Sequence, residues 1–240
     1  TEAVRTEVDS STETTASPET DTDIEFETEA EGETETTKEV TKQWAVQTGR
    51  TWNSMTPAVV DGTIYVGTLD SRVYALDAAD GTEQWEFFVV GGMFSSPVVK
   101  DGVVYVGHES HGNSVYALDA ENGSEQWAVR TGGVVYSSPA VDNGTVYIGG
   151  NDNSVYALDA EDGTEQWTFG TDAKMESPTV SAGTVYVGSP DSHVYALDAG
   201  DGTKQWTFEA DAEVLSTPTV VDDTVYVGSD DTHLYALDAD

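Results

Sequence analysis

From Thr41 onward the chain breaks into short runs of β-branched and aromatic residues, each closed by Gly, Asp, Asn or Pro, and no run shows the spacing of an amphipathic helix. One full set reads as four strands, A to D. It runs Ser138 to Val141, an Asn143-Gly144 turn, Thr145 to Gly149, a polar loop, Ser154 to Asp159, an Asp162-Gly163 turn, then Glu165 to Phe169. Asn-Gly and Asp-Gly supply the positive φ of tight hairpins and recur at Asp61-Gly62, Asp80-Gly81, Asp101-Gly102, Asn122-Gly123 and Asp201-Gly202. The pattern therefore predicts A-B and C-D hairpins in antiparallel sheets, with no helix.

The set repeats. Tyr-Ala-Leu-Asp begins at Tyr74, Tyr116, Tyr156, Tyr195 and Tyr235, at spacings of 42, 40, 39 and 40 residues. Four-stranded units at a period of about 40 residues are the mark of a β-propeller. A proline opens each strand A (Pro57, Pro97, Pro139, Pro178, Pro218), and proline is tolerated only at a sheet edge, so strand A is expected to be the inner edge lining a channel. Gln-Trp follows the first four copies, at Trp85, Trp127, Trp167 and Trp206, and a fifth stands alone at Trp44. The last repeat lacks strand D. Residues 42–46, with Trp44, are expected to supply it, giving five blades closed by pairing of the N-terminal strand with the C-terminal blade.

The run Ala-Leu-Asp-Ala-x-Asp-Gly-x-x-x-Trp resembles the tryptophan-docking motif of the PQQ-like β-propeller repeats, found in quinoprotein dehydrogenases and in the propeller lipoprotein of bacterial outer-membrane assembly. The resemblance covers residues 41–240. It implies that Trp44, Trp85, Trp127, Trp167 and Trp206 are structural, packing between blades, while the Asp and Gly shape the C-to-D turn. Members of that family usually carry seven or eight blades, and five departs from this, as a piece of a longer ring would.

Residues 1–40 are different. They are rich in Thr and Glu, lack every repeat landmark and hold fourteen acidic residues against Arg5 and Lys38, a net of −12 out of −36 for the chain, which leaves −24 on the repeats. Such a segment buries too little apolar surface to fold and is extended by its own charge, so it reads as a disordered acidic tether. It resembles the stalks between a membrane anchor and a folded domain on halophile surface proteins, which implies an extracellular or cell-surface place; a cytoplasmic tail is the alternative. Contact with a membrane is expected only through an anchor removed ahead of Thr1. The charge as a whole resembles halophile adaptation, and it repels phosphate backbones, so nucleic acid is not an expected partner.

The chemistry is sparse. There is no cysteine, nucleophile-base pair, P-loop or His-Glu-x-x-His. All four histidines, His108, His111, His193 and His233, fall in B-to-C loops. With strands ~4.8 Å apart, equivalent loops of neighbouring blades sit ~20 Å from one another, too far to share a metal, so none is expected. The C-to-D turns are uniform, whereas the loops before strand A vary. That face therefore carries the candidate binding residues, Trp52, Asn53, Met93, Phe94, Tyr136, Lys174, Met175, Glu176 and Leu215, as an aromatic and Met-lined mouth for an unknown protein or small ligand. Two functions follow: a non-catalytic binding or scaffolding propeller, or a quinoprotein-type dehydrogenase. The first is favoured, with no cofactor expected, because the sequence shows neither adjacent cysteines nor a calcium-carboxylate set for PQQ.

Overall fold

The computed structural model describes residues 41–49, 55–89, 91–109 and 114–239. The tether expectation for residues 1–40 lies outside them. Every regular element among the described residues is a strand. The first blade comprises β1 (Ala58–Val60), β2 (Thr63–Thr68), β3 (Arg72–Asp77) and β4 (Glu83–Phe88). The second comprises β5 (Val98–Lys100), β6 (Val103–Gly107), β7 (Val115–Asp119) and β8 (Glu125–Val129). The third holds β9 (Ala140–Asp142), β10 (Thr145–Gly149), β11 (Ser154–Asp159) and β12 (Glu165–Gly170), and the fourth β13 (Thr179–Ser181), β14 (Thr184–Gly188), β15 (His193–Asp198) and β16 (Lys204–Glu209). The fifth has three strands, β17 (Thr219–Val221), β18 (Thr224–Gly228) and β19 (Leu234–Asp238). Each sheet is antiparallel with its strands in chain order.

The turns are those the residues call for. Val60 faces Thr63, so Asp61-Gly62 is a two-residue loop, and both residues have positive φ, 48° and 79°. The prolines stand immediately before the first strand of each blade, and those strands are sheet edges. Successive edge strands, β1, β5, β9, β13 and β17, are the strands that approach one another from blade to blade, which places them innermost. A polar seam follows the same line: the backbone N–H groups of Thr56, Ser96 and Ser138 donate to the hydroxyls of Ser96, Ser138 and Ser177 at 2.8–2.9 Å.

The core lies between blades. Tyr65, Val73, Ala75 and Trp85 of the first blade pack on Val104, Val106 and Leu118 of the second, and the corresponding residues repeat this at each junction. Two donors converge on one acceptor there. The Trp85 indole N–H and the Tyr65 hydroxyl both donate to the Ala120 carbonyl, at 3.0 and 3.1 Å; Trp127 and Tyr105 share Ala160, Trp167 and Tyr147 share Ala199, and Trp206 and Tyr186 share Ala239. A bulge opposite Ala75 and Leu76, repeated in the first four blades, sets each indole toward the next blade. The turn it meets must be glycine: at Gly163, φ is 75° and a Cβ would come within 2.8 Å of the Trp127 ring.

Residues 42–46 do not complete the fifth blade as the sequence leads one to expect. They carry no strand, and the fifth sheet ends at β19. Trp44 instead occupies the first blade's turn in the manner of the other indoles, with Nε1 3.2 Å from the Ala78 carbonyl and its ring over Gly81. The fifth blade's forward face is uncovered. Leu234 is 76% exposed and Tyr226 41%, where the equivalent Val73, Val115, Val155 and Val194 are fully buried and the equivalent tyrosines at most 4% exposed.

Candidate functional site

One end of the blades is built by the loops before each inner strand together with the B-to-C loops. Their construction explains which side chains face outward. Ser95 and Ser137 each clamp the last glycine of their blade's second strand, donating to its carbonyl and accepting from its N–H (Gly107 at 2.9 and 2.7 Å, Gly149 at 2.7 and 2.9 Å), and Ser216 does the same to Gly228. Two residues earlier, Met93, Val135 and Val214 are fully buried. They lie against Gly67, Gly107 and Gly188 of the preceding blade, where a Cβ would come within 3.3, 2.4 and 2.7 Å. The residue between anchor and clamp is therefore turned out: Phe94, Tyr136 and Leu215.

Phe94 and Tyr136 meet edge to face with ring centroids 4.9 Å apart, a favoured aromatic geometry. The Tyr136 hydroxyl donates to Glu109 Oε1 at 3.1 Å, and burial, then the Glu109 carboxylate, push that phenol above its usual value. Tyr136 stays 38% exposed and Leu215 41%. The fourth blade differs. Glu176 stands where the others have serine and engages Gly188 only through its backbone N–H, while Lys174 pairs with its carboxylate at 2.8 Å.

Of the residues that sequence places at this mouth, Phe94, Tyr136, Leu215, Lys174 and Glu176 are at least partly accessible. Met93 and Met175 are turned inward, 0% and 2% exposed, as anchors beneath the loop. Trp52 and Asn53 lie outside the described residues.

The histidines are held locally. His108 is buried and stacks on Tyr116 at 5.1 Å, while His193 and His233 contact Asp191 and Asp231 of their own loops. His111 lies outside the described residues. Among the described residues no three His, Asp or Glu side chains converge as a metal would require. The aspartates of these loops accept from tyrosine hydroxyls instead: Asp191 from Tyr195 at 2.8 Å, Asp231 from Tyr235 at 2.6 Å, and Asp152 from Tyr156.

The opposite, turn-bearing end carries clefts that the sequence did not disclose, because its turns look alike. A cleft of about 530 Å³ opens between the first two blades beside Gln84, Asp101, Asp119 and Glu121, and one of about 410 Å³ between the next two beside Lys100, Asp159, Glu161 and Gln166. Tyr65 lines the first and Tyr105 the second, so these clefts follow from the blade repeat.

The tyrosines make the fold sensitive to alkali. Burial first raises the phenols of Tyr65, Tyr105, Tyr147 and Tyr195, and the hydrogen bond to Asp231 first raises Tyr235, to about 12. A raised folded-state value means the stabilisation is full below the unfolded value of 10 and is lost as pH rises through the folded one. Unfolding followed by circular dichroism should therefore be cooperative above pH 10 and coincide with tyrosinate absorbance. Smooth tyrosine titration around pH 10 with the fold intact would contradict this.

A family model described as outer membrane protein assembly factor BamB matches residues 36–133 and 170–240. The BamB of Yersinia pestis is 49% identical over 49 residues, 20% of this chain and 12% of that protein. Among solved structures, BamB from Moraxella catarrhalis superposes with a TM-score of 0.70 at 22% identity, covering 77% of this chain and 61% of that one. A quinohemoprotein alcohol dehydrogenase from Pseudomonas putida HK5 superposes at 0.63 and 23% identity, covering 79% and 40%. This chain thus spans less than two thirds of each. With 19 strands among the described residues, arranged in five consecutive antiparallel blades, and a family match over most of its length, the chain belongs to the PQQ-like β-propeller family whose model is described as outer membrane protein assembly factor BamB.

Proposed function

We propose that this chain is a non-catalytic binding or scaffolding propeller that holds a protein partner through the face carrying Phe94, Tyr136 and Leu215. The observation that carries the reading is the construction of those loops. In the second, third and fifth blades a buried anchor and a serine clamp repeat, while the residue between them is turned outward and differs in each. A rigid frame that varies only at its outward positions suits recognition. Membership of a family described by an assembly factor supports a protein as the partner; a small ligand held between the Phe94–Tyr136 pair and Leu215 is the lesser form of the same reading. The acidic N-terminal segment supports an extracellular or cell-surface place.

The test compares proteins captured from the source cells by the wild type, by a Phe94→Ala/Tyr136→Ala/Leu215→Ala triple variant, and by a Glu83→Ala/Glu165→Ala control on the opposite turns. Loss of the captured set by the triple variant alone is expected, with a small change in melting temperature because the replaced side chains are partly exposed. Equal capture by all three would remove this face as the site. Adding PQQ with calcium is expected to produce no bound-cofactor absorbance, and its appearance would favour the dehydrogenase reading.

A further inference from the structure

Two asparagines on the turn-bearing end stand where aspartate serves the fold equally well. Asn143 opens the A-to-B turn of the third blade, at the place that the other blades give to Asp61, Asp101, Ala182 and Asp222, and all five residues hold φ between 47° and 50°. An alanine there shows that the turn asks for no particular side chain. Asn122 stands in the C-to-D turn of the second blade, where others have Asp80, Asp162 and Asp201. The side chain does matter at that position, but Asn122 Oδ1 accepts from the Ser124 N–H at 2.9 Å just as the three aspartates accept from the N–H groups of Thr82, Thr164 and Thr203 at 2.8–2.9 Å. In a chain with 45 acidic residues, turn chemistry alone does not account for either asparagine.

What the exchange creates is Asn-Gly-Ser at 122–124 and Asn-Gly-Thr at 143–145, the two Asn-x-Ser/Thr sequences in the 240 residues and the acceptor pattern for an N-linked sugar. The hydroxyl residues belong to the fold already. Thr63, Thr145 and Thr184 each donate to a glutamine of the fourth strand, Gln84, Gln166 and Gln205, at 3.1–3.2 Å, and Thr82, Ser124, Thr164 and Thr203 each follow the glycine of a C-to-D turn. One exchange of aspartate for asparagine therefore completes the pattern in each turn. Both asparagines are exposed. A Cβ on Gly144 would meet nothing within 4 Å, so a bulky group on its neighbour Asn143 has open space beside it. At Asn122 the turn engages Oδ1 rather than Nδ2, the atom that takes a sugar.

We propose that Asn122 and Asn143 are N-glycosylation sites, each taking a sugar chain from a polyprenyl-phosphate-linked oligosaccharide; this rests on the extracellular or cell-surface reading above. In the transfer Nδ2 attacks the anomeric carbon, the bond from that carbon to the phosphate oxygen breaks, the lipid phosphate leaves with the electron pair, and one amide proton passes to a base. Thr145 is 8% exposed with its hydroxyl held by Gln166, so the pattern at Asn143 is readable only before β12 brings Gln166 beside it. Ser124 stays exposed in the folded blade. Both sites lie at the end opposite Phe94, Tyr136 and Leu215, so the sugars leave that face clear. Asn143 also lines the cleft of about 410 Å³ between the second and third blades, which its sugar would cover. The turn-bearing end is then a solvated, sugar-bearing surface, and recognition stays with the loops.

Mass spectrometry of peptides holding Asn122 and Asn143 tests this on protein recovered from the source cells, with cell-surface and cytoplasmic fractions kept apart. Most copies from the surface should carry a sugar mass on each asparagine, removed by chemical deglycosylation. Asn122→Asp and Asn143→Asp restore the residue of other blades, so each should lose the sugar at its own site while the melting temperature changes little. Ser124→Ala and Thr145→Val should lose it with the asparagine still in place; valine already stands at the position equivalent to Thr145 in the second blade, as Val103. A bare asparagine in surface protein overturns the assignment of that site and leaves the location standing. Bare protein confined to the cytoplasm overturns both readings, and sugar that persists in Ser124→Ala or Thr145→Val shows that the pattern is not what directs it, which also overturns the proposal.

Discussion

Replacing Trp127 by alanine is expected to destabilise the fold by about 3–5 kcal/mol, the range for removing a large aromatic from a packed interior. The ring is 7% exposed between the second and third blades, lies over Gly163 and tilts against Tyr105 with centroids 5.9 Å apart. Most of the loss is the cavity, because the Ala160 carbonyl keeps the Tyr105 hydroxyl when the indole N–H goes. A glycine turn has no side chain to collapse into the space, which puts the effect toward the upper end. Trp44 makes the same hydrogen bond from a half-exposed position at the end of the array, so Trp44→Ala should cost a fraction as much. Since each blade contacts only its neighbours, the central substitution should also broaden the transition by uncoupling the two sides. Denaturant melts of the two variants decide the matter, and equal losses would show that the junctions are not the main source of stability.

The same junctions explain what could be read from residues alone. The blade period was legible because each junction needs the same Tyr, Ala, Leu and Trp at fixed offsets, and the turns because positive φ selects Asn, Asp and Gly. The lack of a strand at residues 42–46 was not, because Trp44 carries the same local signal whether its strand partner is β19 of its own chain or lies elsewhere. At the mouth, the sequence grouped Phe94, Tyr136 and Leu215 with Met93 and Met175; the first three are at least partly accessible and the two methionines are buried. The missing signal was the serine clamp: once Ser95 is tied to Gly107, alternation forces Phe94 out and Met93 in. Met175 breaks even that rule, since Glu176 replaces the serine and the thioether settles against Thr171 Oγ1 at 3.1 Å. The turn-face clefts arise between blades, and a pattern read within one repeat does not contain them.

Salt should move stability further than any single surface change. The repeats carry −24, and the described ion pairs engage few cations, Arg72 with Asp70 and Glu86 and Lys174 with Glu176, so most carboxylates face others of like sign. Raising salt to ~1 M shortens the screening length to about 3 Å and removes that repulsion, and the melting temperature should climb by on the order of 10 °C at pH 7. Acid separates this collective effect from local ones. Hydrogen bonds from the threonine side chains, then the backbone N–H groups, of Thr82, Thr164 and Thr203 hold Asp80, Asp162 and Asp201 below 3.8, and the Tyr235 hydroxyl first does the same for Asp231. A lowered folded-state value means stabilisation present above 3.8 and lost as pH falls through the folded value. In low salt, stability should therefore rise as pH drops from 7 toward about 4.5, where the many ordinary carboxylates begin to take up protons, and then fall below their usual range. In molar salt the rise should vanish while the fall remains, because screening has already done what protonation does. A melting temperature that ignores salt at pH 7, or a low-salt profile that only declines on acidification, would show that repulsion among the carboxylates does not limit this fold.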